Sequence, residues 1–398
     1  MENVMNVKPV GRLTKLFAVS IGHFINDFYV TLIPPILFLF ANAMLLSLTE
    51  QAFIAAVITS SGSFAQPVIG YFVDKRGKPW LLIFSVIWIA FLMSISGLIT
   101  NYYLLAFVTG LGALASALYH PLGSAMAVNL GTNSKGRSLA IFMTVGSFAA
   151  SIAPIVAIPL VEAHGLSKLT YLMFPGFIVA GFMYIAQIHK QEFAHGTSHK
   201  GVQHNKFEFY TLKWLSILVF IATTRVIIQR SLMTFGVQLL LLKNLNINTA
   251  SVILFLYLLV SSLGTLVGGY FSDIIGNKKV FVLSNVLLIA SLIPLIWGSS
   301  IWVVIGFVFI GFSASSGNTS NIVITQDLIP KNLNLATGLI MGLSGGIGGL
   351  GIVLYGKFAD SYGLLLATTV FFIPLILVNI LTILLPNFQK VKTPTTHA

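Results

Sequence analysis

A chain of 398 residues in which 56% are hydrophobic and only 8% charged is not an ordinary soluble protein, where about a quarter of residues carry charge. The net charge of +12 would favour nucleic acid in a soluble chain; here it fits basic residues gathered in loops between apolar runs, and no pattern supports binding to DNA or RNA. The absence of cysteine excludes disulfides and thiolate metal sites.

Apolar runs of about 20 residues, the length a helix needs to cross a bilayer, recur along the whole chain, and they lack the alternation of barrel strands. Twelve spans are predicted, at residues 16–40, 51–73, 80–99, 103–129, 138–161, 168–188, 212–242, 248–272, 280–298, 302–328, 335–358 and 363–386. The first follows Lys8, Arg12 and Lys15 and precedes Ala41-Asn42-Ala43, as in a signal peptide, but its apolar run is too long and more spans follow. With both termini placed in the cytoplasm, 17 of the 22 basic residues fall on the inner side and three (Lys168, Lys243, Lys357) on the outer. That bias selects this orientation. The predicted fold class is an all-α membrane protein in two six-helix halves, 1–188 and 212–398, joined by a polar cytoplasmic linker, 189–211. The linker carries His189, His195, His199 and His204, without an acid or cysteine placed to complete a metal site.

The halves repeat each other. "GYFVDKRGKPW" (70–80) follows span two and "GGYFSDIIGNKKV" (268–280) follows span eight. Both contain Gly-x-x-x-Asp-x-x-Gly followed by basic residues. Weaker echoes, "PLVEAHG" (159–165) and "GKFADSYG" (356–363), close spans five and eleven. A pattern returning every three spans indicates 3+3 repeats within each half, the architecture of alternating access around a site near the midplane. The predicted gating residues are Gly70, Asp74, Arg76, Gly77 and Lys78 in the first copy, Gly269, Asp273, Gly276 and Lys278 in the second, and Asp327 at the end of span ten. Carboxylates there can bond a neighbouring helix end or a loop cation and favour one conformational state.

These loops resemble the major facilitator superfamily. Within it, the chain is similar to the fosmidomycin resistance protein group, through "GHFINDFYVTLIPPIL" in span one, "AQPVIGYFVDKRGKPW", "YHPLGSAMA" in span four and the stretch from Thr325 to Gly351. The group commonly has an acid after the His-Pro of span four, where this chain has Leu122. The resemblance implies a central cavity lined by spans one, four, seven and ten, and proton-driven export, including of a phosphonate anion.

An ionisable group at the bilayer centre costs about 2.5–3.5 kcal/mol unless it faces a cavity or a partner. Asp27 is such a group, with His23 one turn earlier on the same face and Asn26 beside it. This pair is the predicted proton-coupling element; the alternative is a buried structural pair. His120, Arg225, Gln229, Arg230, Asn318 and Asn321 are, with Asn26, the predicted substrate-binding residues. Arg225 lies at the depth of Asp27 and is read either as a substrate contact or as the ion-pair partner of Asp27. Arg230, rotated from it by about 140°, points elsewhere and contacts substrate or braces a helix. His120 can equally be a core histidine, and the two asparagines can simply join helices.

"GLSGG" (342–346), "GIGGLG" (346–351) and "NTS" (318–320) match a nucleophile elbow, a dinucleotide loop and a glycosylation signal. All three fall in apolar helical runs, where helix packing through small residues accounts for the glycines. No catalytic residues, metal site or cofactor are predicted. The expected partners are protons, the lipid bilayer and a small-molecule substrate carried by a monomer. An exporter of a small polar or anionic compound is the leading expectation, with a proton-coupled importer of an organic anion and a non-transporting sensor as alternatives.

Overall fold

Twelve helices are long and apolar enough to cross a membrane. They are α1 (Arg12–Met44), α2 (Leu48–Gly70), α3 (Trp80–Leu98), α4 (Tyr102–Leu130), α5 (Ser138–His164), α6 (Leu166–Ile185), α7 (Phe209–Leu242), α8 (Ile247–Ile275), α9 (Asn277–Trp297), α10 (Ile301–Leu328), α11 (Ala336–Tyr362) and α12 (Leu364–Leu384). The structure is a computed structural model that describes residues 11–76, 78–131, 135–191, 209–330 and 333–386, and it contains no strand among them. Large apolar side chains such as Phe107, Leu354 and Ile373 stay exposed because lipid, not water, is their solvent. The chain is a multi-pass membrane protein.

Local chemistry sets the breaks. Pro34 and Pro35 turn α1 into a single 3₁₀ turn, Pro34–Ile36, before the helix resumes at Leu37; proline removes backbone donors and clashes with the preceding turn. Asn101 and Asn246 cap α4 and α8, their side-chain oxygens accepting from Leu104 N at 3.0 Å and Thr249 N at 2.8 Å. Ser47 and Glu50 form a reciprocal capping box at the start of α2, with Ser47 N donating to Glu50 Oε2 at 2.9 Å and Glu50 N to Ser47 Oγ at 3.2 Å.

The repeated loop motif has a backbone reason. Its last glycine stops the helix. Gly165, Gly276 and Gly363 have φ of 84°, 93° and 85°, a region essentially reserved for glycine. Each donates its N–H back into the preceding helix, to Val161, Ser272 and Ala359 respectively. The equivalent Gly77 lies outside the described residues, as do the side chains of Asp74 and Arg76; the helix backbone continues to Arg76.

Two seams join the first six helices to the last six. Along α2 and α11, glycines let the backbones close up: a Cβ on Gly349 would collide with Ser60 Oγ, and one on Gly356 would sit 2.7 Å from Leu48 O. Ser60 Oγ also donates to Gly346 O at 3.0 Å. Along α5 and α8, Ser251 Oγ donates to Pro154 O at 3.2 Å and Ser262 Oγ to Ser147 O at 3.5 Å. Asp360, at the end of α11, accepts from Leu48 N and Thr49 N, both at 2.8 Å, and from Thr49 Oγ1 at 2.5 Å. A carboxylate of the last six helices therefore caps the N-terminus of α2. These contacts close the bundle from mid-helix to the end opposite the termini. The glycines of "GLSGG" and "GIGGLG" sit in this packing within a helix, with no strand before them.

Candidate functional site

One face of α1 carries His23 and Asp27 at i and i+4, with His23 Nε2 3.3 Å from Asp27 Oδ2. His120 of α4 completes the group: its Nε2 lies 3.4 Å from Asp27 Oδ1 and its Nδ1 3.2 Å from His23 Nε2. His23 is held from behind, with Nδ1 2.7 Å from the Phe142 carbonyl and the two rings stacked at 3.9 Å. Asn26 Nδ2 donates to Asp27 Oδ1 at 2.9 Å and to Ser116 Oγ at 3.2 Å. The sequence offered no convergent metal-capable set. The fold corrects that, bringing one donor atom each from His23, Asp27 and His120 within 4.8 Å of one another, because residues 97 apart along the chain become neighbours.

Counting protons shows what this arrangement holds. A carbonyl only accepts, so His23 Nδ1 carries a hydrogen that is committed to Phe142. With neutral rings, His120 supplies one more, enough for either His23 Nε2 or Asp27 Oδ1. Two of the three contacts then set lone pair against lone pair: His23 Nε2 facing Asp27 Oδ2, and whichever of its two contacts His120 leaves without a hydrogen. A single added proton on His23 Nε2 removes the conflict, and His120 then donates from Nε2 to Asp27. The geometry suits a cluster carrying one proton beyond neutral imidazoles and a carboxylate, at net charge zero.

Gly146 of α5 makes this packing possible. A Cβ there would collide with His23 Cε1 and lie 2.6 Å from Asp27 Oδ2. Nothing in the residue pattern signals this close approach, because a glycine in an apolar helix reads the same whether it faces lipid or the His23 ring.

Asp27 and His120 open onto a cavity of about 270 Å³. Gln229, Arg230 and Met233 of α7, Ser315 and Asn318 of α10, Thr31 of α1, Ser147 of α5, and Tyr257, Ser261 and Ser262 of α8 also line it. Spans one, four, seven and ten contribute as the resemblance implied, and α5 and α8 join them. Gln229 Nε2 donates to Ser315 Oγ at 2.8 Å, and Ser315 Oγ is 2.5 Å from Ser261 Oγ. These serines and Tyr257 do not stand out in the sequence, since hydroxyls are common in packed membrane helices.

The two arginines take different parts. Arg225 is not the partner of Asp27 and does not line the cavity. It is 1% exposed and sits in a closed polar seat. Nη1 donates to Ser284 Oγ at 3.2 Å and to Asn285 Oδ1, and Nη2 to the carbonyls of Ser313 at 2.9 Å and Ala314 at 2.7 Å. It stands 5.6 Å from the Phe281 ring centroid. Arg230 is the arginine that faces the cavity, within electrostatic reach of Asp27. Its one hydrogen-bond contact among the described residues is a weak one, Nη1 to Met233 Sδ at 3.7 Å, which leaves most of its donors for the cavity. The wheel angle between the two arginines was legible, but not which one turned inward.

Asn318 lines the cavity, whereas Asn321, 3% exposed, is buried and is not part of the lining. Leu122 is fully buried, so the position where the group commonly has an acid points into the core. Asp273, Gly276, Lys278 and Asp327 surround a separate pocket of about 380 Å³, and Lys278 Nζ donates to Leu385 O at 2.5 Å. A Cβ on Gly70 would meet nothing within 4 Å, and one on Gly269 only Thr319 at 3.9 Å. The close approach belongs to Gly268, whose Cβ would collide with the Ser316 carbonyl. Lys78 is exposed. Of the linker histidines, His189 stacks on Tyr184 at 4.4 Å, and His195, His199 and His204 lie outside the described residues.

Two stretches, residues 19–228 and 215–397, match the Major Facilitator Superfamily. The chain belongs to the Major Facilitator Superfamily. It is 27% identical over 387 residues to the fosmidomycin resistance protein of Escherichia coli (strain K12), covering 94% of this chain and 92% of that protein. It is 26% identical over 393 residues to the uncharacterized MFS-type transporter YfnC of Bacillus subtilis (strain 168), covering 95% and 94%. Among solved structures, a bacterial homologue of the human lysosomal transporter Spinster, inward-facing and occupied, superposes with a TM-score of 0.79 at 14% identity over 95% of this chain and 97% of that one. The nucleoside transporter NupG does so at 0.72 and 14% over 93% and 97%. The superfamily is one of membrane transporters, and this chain has its fold.

Proposed function

We propose that this protein is a proton-driven exporter of a small polar or anionic compound, working by alternating access between two six-helix halves in the bacterial cytoplasmic membrane. The observation that carries the proton coupling is the His23–Asp27–His120 cluster, whose contacts are satisfied only when it holds one extra proton. Similarity to the fosmidomycin resistance protein supports the outward direction. In that direction, a donor group of the cargo at Asp27 replaces the extra proton of the cluster. A proton arriving from outside displaces it, and Arg230 steadies the cargo's anionic group. His23 and Asn26 hold Asp27 in place; His120, Gln229, Arg230 and Asn318 contact cargo.

One observation favours the opposite direction. Loading brings the cluster to net charge zero and leaves Arg230 without a net counter-charge, so a proton and an anion can ride inward together. The test uses inside-out vesicles with an imposed pH gradient, a pH-sensitive dye, and a panel of phosphonates, carboxylates and organic cations. For an exporter, a panel compound discharges a gradient that is acid inside the vesicle, and Asp27→Asn abolishes the response. Discharge only under the reversed gradient makes the protein an importer. A response that survives in Asp27→Asn takes proton coupling away from this cluster.

A further inference from the structure

A second chamber of about 110 Å³ adjoins the cavity and shares four residues with it: Val30, His120, Arg230 and Met233. His120 and Arg230 therefore form a waist between two spaces, with the main cavity on one side and the side chamber among α1, α2 and α4 on the other. Its far wall mixes hydroxyl and amide groups, on Thr59, Ser63, Gln66 and Ser116, with the small residues Gly62 and Ala113. No charged group other than His120 and Arg230 lines it among the described residues.

We propose that this chamber is a subsite for the uncharged arm of an organic anion whose charged group sits on Arg230 at the waist. The inference rests on the anion-carrying function proposed above and adds the shape of the cargo. Arg230 has most of its donors free at the junction, in a geometry that suits bidentate capture of a phosphonate or carboxylate. An anion held there has the side chamber within reach. At about 30 Å³ per water, the chamber takes an arm of about three or four heavy atoms and excludes longer ones. The arm would also reach the proton cluster. It touches His120, and Ser116 on the chamber wall accepts a hydrogen bond from Asn26, which in turn donates to Asp27.

Gly62 sets the size of this space. A Cβ there would meet only Ala113 O at 3.6 Å, an ordinary contact, so a β-carbon is accepted at this position, and Gly62 and Ala113 both line the chamber. The test is calorimetric binding of methylphosphonate, propylphosphonate and hexylphosphonate to the full chain in detergent, with Gly62→Val and Ala113→Val beside the wild type. Melting temperature serves as the folding control. Against this partly polar wall, two added methylenes in the chamber are expected to make propylphosphonate bind about threefold tighter than methylphosphonate. Hexylphosphonate should fall below propylphosphonate, and the propyl advantage should vanish in whichever variant melts like wild type. A flat series, or an advantage that persists in a folded variant, overturns the subsite while the anion reading stands. If none of the three binds, the anion reading fails and the subsite with it.

Discussion

Arg225 and Arg230 lie five positions apart on one helix and have opposite surroundings. Arg225 is sealed into a seat of two side-chain oxygens and two carbonyls; Arg230 faces the open cavity. Their substitutions should separate accordingly. Arg225→Ala strands a buried amide oxygen and two carbonyls, so it is expected to cost about 3 kcal/mol of stability, read as a lower melting temperature in detergent. Arg230→Lys keeps the charge but loses the bidentate fork. It is expected to melt like wild type and to lose at least about tenfold in anion binding. Equal melting losses in both variants would show that the two arginines do the same structural work.

Among the helices, the latch between α11 and α2 joins the first six helices to the last six, which the proposed alternating access must separate. Asp360 accepts two backbone N–H groups and a hydroxyl at the first turn of α2, satisfying donors that would otherwise need water. Asp360→Asn removes the charge and part of the acceptor capacity. It is expected to shift the equilibrium about fivefold toward the state open at this end. Spin labels on Leu45→Cys and Tyr362→Cys, both exposed at this end, would report the shift as a growing long-distance population. An unchanged distance distribution would mean that the glycine-lined seam alone holds the end shut. The same elements show why the loop motif recurs. Its last glycine is needed wherever one of these helices stops with positive φ, at Gly165, Gly276 and Gly363, and that requirement is written into the chain as a spacing.

For the protein in its bilayer, the distribution of basic residues predicts which face meets the cytoplasm, and the absence of cysteine makes the prediction simple to check. In intact cells, Leu45→Cys is expected to react with a membrane-impermeant maleimide. Lys279→Cys, also exposed, should react only after permeabilisation. Labelling in the reverse order would invert the chain in the membrane and with it the direction in which protons and cargo are proposed to move.

The twelve helices, their order, the loop repeats and the mid-helix position of Asp27 were all legible in the residues alone. These follow from run length and residue spacing, both properties of a single segment in a bilayer. Placing His23 with Asp27 needed no more, since residues four apart share a helical face. Other features came from packing between helices: His120 joins the His23–Asp27 pair, Gly146 leaves room for it, α5 and α8 line the cavity, and Arg230 rather than Arg225 faces Asp27. Each depends on how a helix is rotated about its own axis against its neighbours. In a membrane, where nearly every face is apolar, hydrophobic periodicity does not record that angle; packing of small residues and the pairing of buried polar groups set it.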